Sequence, residues 1–254
     1  MAIMPTGATV VPRKDSEMNS TKQTARLAGL AYLLNGVGSA LDTVCIPLVR
    51  PDVAAVAKIA ATELPFRIAF VSDLVAQASG IFLLLLLYEL LRPSTGSMPH
   101  SWWCCSCLRC LISIAIALND VAAHVLLRGD SFLSAFSRPQ LDALAMVFLK
   151  MHVHGAFAAQ IFWGLWLMPF GLLVFKSGFL PRVLGVFLII ASFANVIHCF
   201  VSLLLPGPLP VAYQFATTVA MAAGELPIMF WLLIMGIGAT GSNHSSGEAH
   251  GPRT

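Results

Sequence analysis

Carboxylates, histidines and amides recur inside long apolar stretches of this chain. Five of these side chains could exchange a proton with a bound molecule: Asp73, Asp120, His124, His152 and Glu225. Eight more could contact such a molecule through hydrogen bonds, charge or aromatic faces: Asn35, Asp42, Gln77, Arg109, Trp163, Trp166, Asn195 and His198. A carboxyl group in apolar surroundings can hold a proton at neutral pH, and an imidazole can accept one. The combination predicts acid–base chemistry or proton transfer in a site away from water.

The spacing of these residues places several of them on shared helix faces. Asp73 and Gln77 are four residues apart, and so are Asp120 and His124. Residues three or four apart are neighbours on a helix surface. Asp120 and His124 fit an acid–base pair, and they fit equally a pair that neutralises itself near a membrane surface. Both interpretations stay open at this point.

The composition indicates the surroundings of these helices. Hydrophobic residues make up 57% of the 254 residues and charged residues 11%, against about 25% charged in soluble domains. So few charges cannot cover the surface of a soluble domain. The net charge is only +3 and is not concentrated in a basic run, so we expect no nucleic-acid partner. The chain is predicted to be an integral membrane protein whose first partner is the lipid bilayer.

Six stretches reach the ~20 apolar residues that a spanning helix needs. They run over about Leu27–Leu48, Phe66–Leu91, Trp102–Leu127, Val147–Phe175, Arg182–Leu205 and Val211–Gly236. The runs are too long for barrel strands and do not alternate. The predicted fold is an all-α bundle of six transmembrane helices over residues 25–237. A flexible tail over 1–24 and a disordered tail over 238–254 flank it. Residues 51–64 suggest a short surface helix, and residues 128–146 are expected to extend the fourth helix beyond the bilayer.

Successive helices alternate in direction, so the position of a residue along its helix gives its depth. Six of the candidates then fall in one half of the membrane: Asp42, Asp73, Asp120, His124, His152 and His198. Glu225 falls near mid-depth and Arg109 in the opposite half. Lys and Arg are more numerous on the side of the termini, which places both termini in the cytoplasm. We therefore expect one polar site in the outer half.

The cysteines raise the question of a metal. Four of the six lie between Cys104 and Cys110, with repeated C-x-x-C spacing. One continuous helix does not wrap four ligands around one ion, and there is no second cysteine pair. Packing beside interfacial tryptophans, or acylation, accounts better for this cluster. We expect neither a metal nor another cofactor.

Three stretches resemble a known family. They run from Ala25 to Leu34, from Phe175 to Gly185 and from Gly224 to Leu233. Together they resemble the multi-pass membrane proteins catalogued as domain of unknown function 4386, over roughly residues 24–237. The link between the fourth and fifth spans is the most specific element. Arg109, His152 and Glu225 fall where the family pattern has similar residues. The resemblance implies a six-span fold and adds no reaction.

Three functions remain open from the sequence. The first is a membrane-embedded acid–base enzyme, of isomerase or terpene-cyclase-like type, on a lipophilic isoprenoid-like molecule. In it Asp73, Asp120 or Glu225 donates a proton, His124 or His152 accepts one, and the tryptophans of the fourth span shield a cation. The second is a small-molecule or proton-coupled carrier. The third is a structural or accessory membrane protein. The sequence does not specify an oligomeric state.

Overall fold

The structure, a computed structural model, describes residues 13–45, 63–95, 100–205 and 207–236. These ranges contain six α-helices and a short 3-10 turn at Ser131–Leu133, and no strand. The helices are α1 (Arg13–Cys45), α2 (Glu63–Thr95), α3 (His100–Arg128), α4 (Arg138–Lys176), α5 (Arg182–Leu204) and α6 (Val211–Ile234). Most of the predicted surface helix at 51–64 and the whole predicted tail at 238–254 lie outside the described residues. The all-α prediction is confirmed.

The helices form a closed ring. Each helix packs against the next one in the chain, and α1 also packs against α6. Helix α2 makes a smaller contact with α4 across the ring. Because neighbours in sequence are neighbours in space, the short connections suffice to join them. The inward faces of all six helices therefore share one interior.

Both ends of the ring interior are packed with apolar side chains. At one end Trp166 stacks on Phe170 with ring centroids 5.4 Å apart, and Trp102 stacks on Trp166 at 6.5 Å. At the other end a smaller cluster of α2, α3 and α4 includes Phe66 and Leu149. Burial of these large side chains is the main stabilising contribution to the bundle's tertiary contacts. The polar residues lie between the two clusters.

Close helix contacts depend on glycine. A methyl group added to Gly164 of α4 would lie 2.7 Å from the carbonyl oxygen of Ser192 on α5. The Ser192 hydroxyl donates a hydrogen bond of 2.8 Å to the Gly164 carbonyl across the same contact. Small residues permit such approach, and an interhelical hydrogen bond reinforces it in an apolar medium.

Helix α4 begins well before the apolar stretch that predicted it. Its first residue is Arg138 rather than Val147. The Ser137 backbone N–H donates to Oε1 of Gln140 at 2.8 Å, and Pro139 occupies the first turn. This is a start signal that needs no hydrophobic residue. Nη1 of Arg138 also donates to the Leu127 carbonyl at the end of α3, at 2.7 Å.

Five of the helices in the described ranges are long and apolar enough to cross a membrane, namely α2 to α6. Helix α1 is not among them, and its described part begins with the polar segment from Arg13 to Thr24. That segment falls within the predicted flexible tail and is helical. The last residues of the predicted first span lie outside the described part. The sixth span therefore stays a prediction, whereas the helical bundle is confirmed.

Candidate functional site

Two adjoining cavities lie inside the ring. The larger one, about 470 Å³, takes its lining from all six helices. Its polar lining residues are Tyr32, Asn35, Ser39, Gln77, Arg109, Ser113, Asn195, Thr218 and Glu225. The smaller one, about 300 Å³, is lined in part by Asp73 and His152. Four residues border both cavities: Ser39, Gln77, Ser113 and Trp163. The polar side chains thus form one continuous region along the ring interior.

A hydrogen bond between a tyrosine and a carboxyl group joins the first helix to the last helix at the larger cavity. The Tyr32 hydroxyl of α1 donates a hydrogen bond of 2.5 Å to Oε2 of Glu225 on α6. The bond is short, as expected for a hydroxyl donating to a carboxyl oxygen away from bulk water. Glu225 was predicted as a site residue near mid-depth, and it lines this cavity. Its tyrosine partner closes the ring between the first helix and the last.

Arg109 supplies a positive charge to the same cavity. Its guanidinium carbon lies 4.9 Å from the ring centroid of Trp166, in a cation–π contact. A methyl group on Gly80 of α2 would lie 2.9 Å from Nη2, so the glycine leaves room for the guanidinium. Within the described ranges Nε is buried without a hydrogen-bond partner, and no carboxylate forms an ion pair with Arg109. The charge therefore faces the cavity.

The predicted amide residues also line the cavities, and each holds a neighbouring group. Nδ2 of Asn35 donates to the Ala76 carbonyl of α2 at 2.7 Å. Nε2 of Gln77 donates to Oδ1 of Asp73 at 3.0 Å. Nδ2 of Asn195 donates to the Ala191 carbonyl at 2.9 Å. These bonds fix the orientation of the side chains, and each amide oxygen remains an acceptor.

The buried carboxyl of α3 pairs with α4. Nδ1 of His152 lies 2.9 Å from Oδ2 of Asp120, which is an ion pair when the imidazole is protonated. Asp120 is only 2% exposed. The sequence placed His124 beside Asp120 as a possible partner, and the structure adds His152 from the neighbouring helix. The His124 ring itself stacks on Phe66, with centroids 4.2 Å apart.

Three predicted site residues that the structure describes line neither cavity: Asp120, His124 and His198. Asp120 is linked to the smaller cavity only through its contact with His152. His124 lies in the apolar cluster at one end of the ring. His198 stacks on Tyr213, with centroids 5.6 Å apart, and contacts Ser202, and it lines neither cavity. The side chain of Asp42 lies outside the described residues. The single polar site expected in one membrane half is instead divided between two connected cavities, and Arg109 and Glu225 share the larger one.

Sequence reasoning missed one central residue. Tyr32 was not among the candidates, although it makes the hydrogen bond to Glu225. A signal existed, because Tyr32 precedes Asn35 by three residues and so shares its helix face. The predicted tryptophans Trp163 and Trp166 both line the larger cavity.

None of the four cysteines of the cluster lines either cavity. Cys104 and Cys107 are exposed on α3, Cys105 is half-buried and Cys110 is buried. Among the residues that the structure describes, no group of three or more His, Cys, Asp or Glu side chains could hold a metal ion.

Comparison with known proteins identifies the family. The family described as Domain of unknown function (DUF4386) matches residues 27–236, so the chain belongs to this family and the resemblance seen in the sequence is confirmed. An uncharacterized protein of Archaeoglobus fulgidus is 29% identical over 132 residues, which cover 49% of this chain and 76% of the relative. No solved structure matches the chain.

Proposed function

We propose that this DUF4386 protein is a membrane-embedded enzyme that isomerises a lipophilic small molecule by acid–base catalysis inside the helix ring. The observation that carries the proposal is the Tyr32–Glu225 hydrogen bond on the wall of a cavity of about 470 Å³. His152, which lines the adjoining cavity and is paired with Asp120 behind it, supplies a second proton-exchanging group. An isomerisation needs one proton given and one taken, and two such groups meet that need.

The size and lining of the cavities suit a small molecule. Ligand sites usually enclose roughly 300–1,000 Å³, with mostly apolar walls and a few oriented polar groups. Here the walls include Trp163, Trp166, Met221 and Met229 beside the polar residues. Because apolar helices surround the cavities, a molecule that partitions into the bilayer has the shortest route to them.

The chemical roles follow from the contacts. Glu225, with Tyr32 against its carboxyl, is placed to donate a proton to a bound molecule. His152 is placed to take one, and Asp120 holds its ring and stabilises the charged imidazolium. Asp73 lines the smaller cavity with His152 and is oriented by Gln77.

The charge of Arg109 selects among reaction types. Cyclisation through a carbocation would place a positive intermediate beside a guanidinium that already covers the face of Trp166. Like charges at such range repel strongly in an apolar interior. Isomerisation through an enol-like intermediate places negative charge on an oxygen, which Arg109 would stabilise. We therefore favour a proton shift next to a carbonyl or carboxyl group over a cyclisation.

Deuterium incorporation tests the proposal even though the substrate is unidentified. The purified protein in lipid nanodiscs is incubated in D₂O with a total lipid extract, and mass spectrometry follows every compound. The wild type should add deuterium at carbon to at least one compound, whereas Glu225→Gln and Asp120→Asn should not. Glu89→Gln, a carboxyl that lines neither of these two cavities, serves as the control. Incorporation that is absent from the wild type, or equal in all variants, would overturn the proposal.

A proton-coupled carrier is the second candidate, since the shared residues connect Glu225 with the Asp120–His152 pair through one polar region. Such a carrier would change the internal pH of sealed vesicles when its cargo is added. A transport signal without deuterium incorporation would select the carrier. If a folded protein shows neither transport nor deuterium incorporation, the structural role is favoured.

We further propose that α1 is the sixth span and that both termini are cytoplasmic. The outward face of α1 is apolar, with Leu27, Leu30, Leu34, Val37 and Leu41 exposed. Their spacing follows one helix face. That face continues the lipid-facing surface of α2 and α6, between which α1 lies.

A further inference from the structure

The larger cavity opens sideways between α1 and α6. Near the end of α6, Gly29 of α1 lies directly against the backbone of Leu233. Gly36 is seven residues, or about 10 Å, further along α1. A methyl group placed there would meet nothing within 4 Å. The two helices therefore diverge from their contact at Gly29 and leave a gap in the ring wall.

Small or exposed residues border this gap. On α1 they are Gly36 and Ala40, and on α6 they are Thr218 and Leu226, and all four are exposed while lining the cavity. The Tyr32–Glu225 hydrogen bond lies at the narrow end of the gap, between the contact at Gly29 and the open part. The gap lies in the wall of the ring, and the outward surface of α1 beside it carries the exposed Leu34 and Val37.

The positive charge of Arg109 in the larger cavity would favour a ligand with a negatively charged group. Arg109 lies on Trp166, and a methyl group on Gly80 would touch both Nη2 of Arg109 and Nδ2 of Asn35. The guanidinium and the amide are therefore adjacent. In the described part of the chain no carboxylate lies within ion-pair distance of Arg109; Glu225 lines the same cavity and is bonded to Tyr32 instead. An unpaired guanidinium in an apolar interior is strongly stabilised by an anion, and a carboxylate fits its two parallel N–H groups.

We propose that the cavity binds a single-chain amphiphile with a carboxylate headgroup, such as a fatty acid. The carboxylate lies on Arg109 and Asn35, and the hydrocarbon chain leaves through the gap between α1 and α6 into the bilayer. This inference rests on the proposed function in that it names the substrate class of the same cavity. It places the carbons next to the carboxylate close to Glu225, where a proton shift would occur.

Thermal stabilisation by oleate tests the inference, with oleyl alcohol as the neutral molecule of the same chain. A ligand that binds only the folded state raises the Tm, and the shift grows with the logarithm of the ligand concentration relative to its Kd. Oleate should raise the Tm of the full-length protein in detergent micelles, and oleyl alcohol should not. Arg109→Gln should weaken oleate binding at least about tenfold. Arg182→Gln, whose guanidinium lies 5.8 Å from the Phe175 ring on the surface, should not.

The gap is tested separately. Gly36→Phe should abolish the oleate shift by filling the opening, whereas Val37→Phe, one position away on the lipid face, should preserve it. Equal shifts with oleate and oleyl alcohol, or a full oleate shift in Arg109→Gln or Gly36→Phe, would overturn the inference. If Arg109→Gln does not fold, two other comparisons test the inference. One compares the Tm shifts of the wild type with oleate and with oleyl alcohol, and the other compares the oleate shifts of Gly36→Phe and Val37→Phe.

The outcomes separate this inference from the proposed enzyme activity, because oleate binding requires no turnover. Charge-dependent oleate binding without deuterium incorporation would keep the ligand class and overturn the enzyme. Deuterium incorporation into a neutral lipid, together with no selective oleate shift, would keep the enzyme and overturn the ligand class.

Discussion

At the scale of residues, the Tyr32–Glu225 hydrogen bond orients a part-buried carboxyl group on the wall of the larger cavity. Removing the hydroxyl leaves the carboxyl without its donor, which costs about 1–3 kcal/mol for a buried group. We expect Tyr32→Phe to lower the free energy of unfolding by that amount. Reversible unfolding in mixed micelles measures it.

Tyr88→Phe is the matched control for that prediction. The Tyr88 ring packs edge-on against Trp103, with centroids 5.2 Å apart. Its substitution should change the unfolding free energy by less than about 0.5 kcal/mol. If Tyr32→Phe proves as harmless as Tyr88→Phe, the hydrogen bond does not contribute to stability.

The buried pair of Asp120 and His152 predicts a strong coupling. Removing one partner of a buried ion pair leaves the other uncompensated, whereas an exposed pair is worth about 0–1 kcal/mol. A double-mutant cycle with Asp120→Asn and His152→Gln should give a coupling energy of about 1–3 kcal/mol. The exposed pair Arg138–Asp142, whose atoms are 3.2 Å apart, supplies the comparison. Similar coupling energies in the two cycles would contradict the prediction that the buried pair is coupled more strongly than the exposed pair.

At the scale of helices, the hydropathy pattern predicted the elements well and their contacts poorly. The predicted fifth span, Arg182–Leu205, differs from α5 by one residue at its end. Helix α4 begins at Arg138, inside the stretch 128–146 that was predicted to extend the fourth helix. Ser137 and Gln140 fix its first residue, and a search for apolar windows does not detect such signals. Spacing placed Asp120 beside His124 on one helix. It could not show that α4 brings His152 to Asp120, because periodicity within one helix carries no information about its neighbours.

Two glycines with opposite surroundings give opposite predictions. A methyl group on Gly164 would meet the Ser192 carbonyl oxygen at 2.7 Å and Cγ2 of Val196 at 2.8 Å. Gly164→Ala must push α5 away from α4 and should destabilise the protein by about 1–3 kcal/mol. Gly36 has nothing within 4 Å, so Gly36→Ala should gain the helix propensity of alanine, up to about 1 kcal/mol. Unfolding curves of the two variants should shift in opposite directions, and a shift in the same direction would contradict this account.

At the scale of the whole molecule, the closed ring explains why the polar residues surround cavities. Apolar clusters fill the two ends of the interior, around Trp166 and around Phe66, and the region between them carries the polar side chains. Depth could be estimated from the sequence, which predicts that Arg109 lies far from Asp120 along α3. The rotation of each helix about the ring axis could not be estimated, so one predicted site became two connected cavities.

The ring also makes the topology of α1 a decisive question. If α1 crosses the membrane, six spans bring both termini to the same side. If it lies on the surface, five spans separate the termini, because α2 to α6 alone cross an odd number of times. The apolar outward face of α1 and its position between α2 and α6 favour a crossing. A helix that completes a ring of spanning helices also has to share their depth, since Tyr32 reaches Glu225 within α6.

Protease protection of epitope tags tests this topology. Tags placed at Met1 and at Thr254 should both be accessible from the cytoplasmic face and protected from the other. A third tag, between Gly129 and Ser137, lies in the α3–α4 connection. It should be accessible only from the side opposite to the Thr254 tag, whether or not α1 crosses. That tag confirms that the vesicles are sealed and oriented. Accessibility of the Met1 tag on the side opposite to Thr254 would show that α1 does not span. The gap between α1 and α6 would then open to the membrane surface, and the chain of a bound amphiphile could not leave through it into the bilayer core.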